Sequence, residues 1–174
     1  MRAPTRGAAA DAHLVRRTPG ALVTPEDMPN TSLWTRLLRG GVSLTAFDRF
    51  LLGILEQHVP AEMATALRQQ WRGLNLIQRS PDWQELRFYR LVAGQVDRAE
   101  LPKLPVRDGE VKLLSVALRP TGDGDALNVN FWAVDGWFFN LNADRSLRPF
   151  RELSDSAVDA VEHSYRSNLV RRGA

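Results

Sequence analysis

The three histidines, His13, His58 and His163, are the side chains best suited to bind a metal ion or to transfer a proton at neutral pH. The pattern around them predicts an N-terminal arm, a helix end and a terminal helix respectively, and none repeats at the spacing of metal ligands. His58 near a helix C-terminus and His163 on an amphipathic helix both have ordinary structural explanations. The sequence therefore predicts no metal site and no catalytic histidine.

The carboxylates form no recognisable acid–base pair. The Gly-Asp-Gly-Asp stretch at residues 122–125 resembles an acidic metal loop, but the further oxygen ligands and the closing glutamate of a calcium loop are missing, so a turn is predicted. The other candidates belong to different predicted elements, and their spacing does not indicate a catalytic pair. They are Asp48, Glu56, Glu62, Glu85 and Glu110.

The sequence lacks the residues and motifs that are typical of several enzyme classes. The absence of cysteine excludes thiol catalysis, disulfides and thiolate zinc sites. No glycine-rich phosphate loop, nucleophile elbow or dinucleotide fingerprint is present. We therefore predict no cofactor, and we favour a non-catalytic protein over an enzyme.

Composition indicates an ordinary globular protein. The chain has 174 residues, 44% hydrophobic and 25% charged, which suits one domain with a core of its own. Only Lys103 and Lys112 are lysines, and this arginine-rich usage is typical of a GC-rich bacterial genome. The net charge of +3 is spread without a run of like charge. With no secretory signal and no apolar run long enough for a membrane span, we expect a cytoplasmic protein.

Helical signals occupy the first half of the chain. Residues 1–30 lack a sustained apolar period and predict a mobile N-terminal arm, whereas residues 31–174 predict a single α+β domain. A short helix is expected at 33–39. Apolar steps of three and four then predict two helices in a hairpin, the first capped by Ser43 or Thr45. Pro60 suits the first turn of the second helix, and Gly73 is expected to end it in a left-handed conformation.

From Leu74 onward the apolar period changes from helical to two, which predicts strands at 74–79, 85–92, 111–119, 127–134 and 137–143. Short turns between them favour a mostly antiparallel five-stranded meander. A C-terminal amphipathic helix is expected to open at Ser154-Asp155, with Val158, Val161, Tyr165 and Leu169 on its buried side. The predicted fold is thus α+β: a helical hairpin, the five-stranded meander and the C-terminal helix.

The hairpin at 127–143 carries the strongest pattern. A two-residue Asp135-Gly136 turn would mix polar and apolar residues on both faces, whereas a three-residue loop with Gly136 in a bulge would not. The second register pairs Phe131 with Phe139 on an apolar inner face. It also places Trp132 opposite Phe138 on an outer face, with the pairs Asn130–Asn140 and Asn128–Asn142 beside them.

The first strand pair is expected to extend that outer face. Inward Leu74, Leu76, Leu86 and Phe88 would turn Asn75, Arg79, Arg87 and Tyr89 outward. Aromatic rings beside amides and guanidinium groups are typical of recognition surfaces. The predicted binding residues are Trp132, Phe138, Asn130, Asn140, Asn128, Asn142, Arg87 and Tyr89.

Three functions follow from this face. The leading hypothesis is a non-catalytic bacterial binding protein of the immunity, adaptor or accessory type, with a protein partner. The alternative is an enzyme or small-molecule carrier with a pocket between sheet and helices, which would be favoured by a deep pocket with a carboxylate or with His58 at a shifted pKa. The weakest is single-stranded nucleic-acid binding through Arg79, Arg87, Tyr89 and Trp132, because the charge is nearly balanced.

Overall fold

The computed structural model of the chain describes residues 13–14, 41–119, 126–159, 161–167 and 169. Apart from its residues 13–14, the predicted N-terminal arm lies outside these ranges. The helix expected at 33–39 and the acidic turn at 122–125 also lie outside them.

Two helices open the described domain, and the predicted helical hairpin is confirmed. Helix α1, Ala46–His58, begins at a capping box in which the Thr45 hydroxyl accepts the Asp48 N–H at 3.1 Å and the Asp48 carboxylate accepts the Thr45 N–H at 2.7 Å. Helix α2, Ala61–Gly73, follows directly, with Pro60 as its N-cap. Both helices bury an apolar stripe.

Gly73 ends α2 for a different reason from the one predicted. It does not have a positive φ, and the next residue, Leu74, continues in an extended conformation. A Cβ atom at Gly73 would lie 2.3 Å from the Leu101 Cδ2 atom. Any larger residue here would therefore displace the Leu101 side chain, and the position does not require a left-handed conformation.

The strands form one large sheet and a small ribbon. The sheet strands are β1 His13–Leu14, β2 Leu76–Arg79, β3 Glu85–Tyr89, β6 Glu110–Arg119, β7 Leu127–Val134, β8 Trp137–Ala143 and β9 Glu162–Ser167. They lie in the order β1-β9-β6-β7-β8-β3-β2, and every described pair is antiparallel. Six of the strands come from residues 76–167, and the two-residue β1 adds to the edge. The ribbon pairs β4, Leu91–Val92, with β5, Gln95–Val96.

A mostly antiparallel sheet was predicted correctly, but the five-stranded meander was wrong. Strand β3 pairs with β8 instead of β6, so the β2–β3 hairpin joins the far side of the β6–β7–β8 meander. The long connection over residues 97–109 allows the chain to pass from the β2–β3 hairpin to β6, on the other side of β7 and β8. Residues 91–92, expected to continue β3, belong to the separate ribbon.

The C-terminal segment corrects a second prediction. Helix α3 is short, Asp155–Asp159, and is followed by strand β9, which pairs with β6. The apolar positions Val161, Tyr165 and Leu169 are four residues apart. Residues at this spacing lie on the same side of a helix, but they also lie on the same face of a strand. Pairing with the edge of β6 favours the strand conformation, because the backbone groups of that edge would otherwise have no hydrogen-bond partners in the sheet.

A single apolar cluster lies between the helices and one face of the sheet. Trp71 of α2 meets Phe138 of β8 edge to face at 5.9 Å, and Phe47 of α1 stacks on Phe150 at 4.5 Å. The sheet contributes alternate residues that are almost completely buried, including Phe88, Phe131 and Leu141. None of the helices described here has the length and apolar character needed to cross a bilayer.

The register of the β7–β8 hairpin matches neither of the two alternatives considered from the sequence over its whole length. Asp135 and Gly136 both adopt left-handed conformations, with φ of 53° and 84°, and form a two-residue turn that pairs Val134 with Trp137. The register then shifts at a bulge, after which Trp132 pairs with Asn140. The predicted three-residue loop was therefore wrong. A bulge does restore the alternation, but its extra residue is Phe139 and not Gly136.

Candidate protein-binding face

We define the outward face as the side of the large sheet opposite α1 and α2. Alternation assigns its residues, since each is a neighbour in sequence of a side chain in the core. The predicted residues Trp132, Asn130, Asn128, Asn140, Asn142, Arg87 and Tyr89 all belong to it. The face also includes Glu85 and Phe139, together with Lys112 and Ser115 from β6.

Phe138 does not belong to this face, and its prediction as a binding residue is corrected. Its side chain is 2% exposed and contacts Trp71 and Phe88 in the core. The bulge is the physical reason, because it shifts the alternation by one residue and turns Phe139 outward instead. Phe139 is partly exposed and meets the Tyr89 ring edge to face at 6.0 Å.

The first strand pair requires two further corrections. Leu76 pairs with Tyr89 and so lies on the outward side, yet it is only 5% exposed. Arg79 pairs with Leu86 on the helix side, where it forms a buried ion pair with Asp48. The Asp48 carboxylate that caps α1 therefore also holds β2 against that helix.

The asparagines form hydrogen bonds across the sheet, although with partners other than those predicted. Asn130 lies opposite Asn142 and accepts a hydrogen bond of 2.8 Å from the Ser115 hydroxyl. Asn142 accepts a longer bond of 3.4 Å from the Trp132 indole N–H. At the end of β8, the exposed Asn128 donates to Asp144 at 2.6 Å. These bonds fix the side chains of the face before any partner binds.

The fourth asparagine is buried within the face. Asn140 is 7% exposed, and its amide nitrogen donates to the Glu85 carboxylate at 2.5 Å, whereas its Oδ1 atom has no hydrogen-bond partner. Glu85 also pairs with Arg87 at 2.6 Å. The hydrogen bond from Arg87 lowers the pKa of Glu85, and the same contact raises the pKa of Arg87. Both groups therefore remain charged at neutral pH.

Three aromatic rings near the β7–β8 turn each have a cation beside them. The Lys112 ammonium lies 5.0 Å from the centre of the Trp132 ring, and the Lys103 ammonium lies 5.9 Å from that of Trp137. The Arg98 guanidinium lies 5.9 Å from the Phe139 ring. Burial lowers the pKa of Arg98, although a guanidinium remains protonated at physiological pH. Cation–π attraction stabilises these arrangements.

A shallow open groove of about 460 Å³ lies at the other end of β8. Its wall combines carboxylates with amide groups, and hydrogen bonds from Ser80 and the Gln84 N–H lower the pKa of the Asp82 carboxyl. The lining residues are Ser80, Asp82, Gln84, Glu85, Asn130, Asn142, Ala143 and Asp144.

The histidines described with side chains lie on the helix side of the sheet. His58 at the end of α1 stacks on Tyr165 of β9, with the ring centres 3.7 Å apart. The centre of the His163 ring lies 6.2 Å from that of His58. Burial, followed by the charge of His163, lowers the pKa of His58. Within the described ranges no cluster of histidine and acidic side chains could hold a metal ion. His163 lies on a strand and not, as predicted, on a helix.

Sequence reasoning missed Glu85, Lys112, Ser115 and Arg98 as parts of this face. Alternation within β6 could have assigned Ser115 an outward direction, but not its contact with Asn130. That contact depends on the register of β6 against β7, which shifts at a bulge between Lys112 and Leu114. The place of Glu85 beside Asn140 depends on strand order, because a meander would have placed β3 next to β6 and not next to β8. The position of Arg98 depends on the path of a loop and carries no local signal.

Comparison with models of known protein families, with curated proteins and with solved structures found no match to this chain. The functional argument therefore depends on the geometry and chemistry of the outward face.

Proposed function

We propose that the protein is a non-catalytic binding protein, of the immunity, adaptor or accessory type, that recognises a protein partner through the outward face. The observation that carries the proposal is the partly exposed Trp132 beside asparagines that are already hydrogen-bonded. Exposed aromatic rings next to polar groups are typical of energetically important interface positions. Side chains held in place before binding lose less conformational entropy when the partner docks.

The same geometry gives less support to the enzyme or carrier alternative. The layer between helices and sheet is filled by apolar side chains such as Phe131 and Leu141, whereas the groove opens on the opposite side of the sheet. The lining of the groove includes no histidine. His58, whose pKa is lowered, lies against Tyr165 on the helix side.

Native mass spectrometry of the full chain, gently purified from its source cells, tests the proposal. We expect a stoichiometric protein partner with the wild type that is lost with Trp132→Ala. The matched control is Val96→Ala, which removes an apolar side chain 54% exposed on the separate ribbon and should leave the complex intact.

Two results would contradict the proposal. One is a retained small molecule or oligonucleotide in place of a protein. The other is a protein partner that binds equally well to the wild type and to folded Trp132→Ala, because the outward face would then not be the interface.

A further inference from the structure

The two asparagines that line the groove are oriented by bonds to the rest of the outward face. The Asn130 Oδ1 atom accepts the Ser115 hydroxyl at 2.8 Å, and the Asn142 Oδ1 atom accepts the Trp132 indole N–H at 3.4 Å. Both asparagines are half-buried, and within the described part of the chain neither amide nitrogen has a hydrogen-bond partner. Each nitrogen therefore offers unused N–H donors to the groove.

These donors lie in one row with a carboxylate. Asn130 of β7 is directly opposite Asn142 of β8, and Asn142 is directly opposite Glu85 of β3. Side chains opposite each other in an antiparallel pair have Cβ atoms about 4.5–5.5 Å apart. The row therefore spans two strand spacings, about 10 Å, so that one small ligand can contact both amides and the carboxylate.

The carboxylates of the groove supply acceptors without requiring a cationic ligand. Glu85 pairs with Arg87 at 2.6 Å, and Asp144 lies 3.7 Å from Arg145. The third carboxylate, Asp82, is exposed to solvent, which screens its charge. An ionised carboxylate has about four lone-pair positions, so each can accept a further hydrogen bond. The groove thus places acceptors next to the amide donors.

The lining disfavours a ligand with a large apolar surface. Among the described residues that line the groove, only Ala143 is apolar, so a flat aromatic compound would find little apolar area to cover it. A sugar has hydroxyl groups around its whole ring, and each hydroxyl both donates and accepts. Such a ligand can use the amide donors and the carboxylate acceptors at the same time.

We propose that this groove is a binding site for a neutral sugar. Hydroxyl oxygens of the sugar would accept from the Asn130 and Asn142 amide nitrogens, and a neighbouring hydroxyl would donate to Glu85. The groove volume of about 460 Å³ lies within the range of about 300–1,000 Å³ that is typical of small-ligand sites. The sugar is a ligand in addition to the protein partner of the proposed function, and the inference does not depend on that partner.

The test is an NMR titration of the isotope-labelled, full-length protein with glucose, galactose, mannose and N-acetylglucosamine. Each sugar is added up to about 50 mM, so that millimolar Kd values can be measured. The side-chain amide signals are assigned by their loss in Asn130→Leu and Asn142→Leu. We expect at least one sugar to shift both signals. Cyclohexanol, a ring with a single hydroxyl, should shift neither.

The variants then test the site itself. Leucine keeps the branched shape of asparagine without its N–H donors, so Asn142→Leu should weaken sugar binding by about two- to tenfold, the contribution of one neutral hydrogen bond. Asn130→Leu should have the same effect and serves if Asn142→Leu does not fold, which circular dichroism determines. The matched control is Gln95→Met, which removes an exposed amide from the separate β4–β5 ribbon and should leave binding unchanged.

Three results would overturn the sugar site. One is the absence of a shift with all four sugars. Another is equal sugar affinity for the wild type and for a folded asparagine variant. The third comes from tetraglycine, which offers the N–H and C=O groups of a peptide backbone without side chains. Shifts with tetraglycine and none with the sugars would assign the groove to the backbone of a protein partner.

The outcomes also separate this inference from the proposed function. If no sugar binds although native mass spectrometry finds a Trp132-dependent protein, the sugar site is wrong and the binding function stands. If a sugar binds in an Asn142-dependent manner and no protein co-purifies, the sugar site stands and the proposed function fails.

Discussion

Phe131 and Trp132 are consecutive residues of β7, but they belong to surfaces with different physical roles. Phe131 is completely buried between the sheet and the helices, where its contacts are apolar. Trp132 lies on the outward face, partly exposed, with a lysine over its ring and an asparagine oxygen near its indole N–H. One strand thus contributes to the core through one residue and to the outward face through the next.

The two faces also differ in how their side chains are held. On the inner face, close packing and removal of apolar area from water fix the aromatic rings. On the outward face, hydrogen bonds between exposed or half-buried groups fix Asn128, Asn130 and Asn142, and such bonds contribute little net stability. We infer that the inner face determines whether the protein folds and that the outward face is freer to serve binding.

The largest expected effect compares the two neighbours directly. Phe131→Ala should reduce the free energy of unfolding by about 3–5 kcal/mol, because it leaves a cavity in a close-packed core. Trp132→Ala should cost about 1 kcal/mol or less, since its side chain remains partly in water. Chemical denaturation with circular dichroism measures both. Equal losses for the two variants would contradict the assignment of opposite faces.

The second prediction concerns the main polar exception on the inner face. Asp48 is 1% exposed and the Arg79 side chain 6% exposed, and their ion pair joins α1 to β2. Asp48→Ala should cost about 3 kcal/mol, because it removes the capping box and leaves a buried guanidinium without its carboxylate. Thermal unfolding at matched pH measures the loss.

The double variant Asp48→Ala with Arg79→Met is the control. It removes the uncompensated charge, so it should be more stable than Asp48→Ala alone. If the double variant loses as much stability as the single variants Asp48→Ala and Arg79→Met lose together, the ion pair is not the source of the effect.

Much of the sheet could be predicted from local pattern. The bounds of β7 and β8 agree with the prediction to the residue, because alternating residues flank an Asp-Gly turn. The outward direction of Asn130, Asn142 and Trp132 follows from the same alternation. The directions of Phe138 and Phe139 were reversed, because the bulge lies at Phe139 and not at Gly136, and the position of a bulge leaves no mark in the residue types.

Features that depend on distant parts of the chain could not be predicted. The four-residue spacing of Val161 and Tyr165 fits a helix and a strand equally, and only the free edge of β6 favours the strand. Arg79 was expected in solvent because strand alternation alone does not reveal that Asp48 lies above it. The cation beside Phe139 comes from a loop whose path has no periodic signal.

The smallest predicted effect lies at the edge of the inner face, where His58 stacks on Tyr165. Burial and the nearby His163 lower the pKa of His58 below its usual 6.5, so the unfolded chain binds more protons than the folded chain as the pH falls through 6.5. The free energy of unfolding should therefore decrease on acidification from that value. Urea denaturation between about pH 7.5 and pH 5.5 measures the slope.

His58→Phe separates the charge from the packing, because it keeps an aromatic ring against Tyr165 and cannot be protonated. We expect a shallower pH dependence for this variant above the range where carboxylates titrate. Identical slopes for the variant and the wild type would show that protonation of His58 is not opposed by the fold. In that case the His58 ring against Tyr165 would be as accessible to water in the folded chain as in the unfolded chain. The packing of β9 on α1 would then be looser than the packing of the core around Phe131.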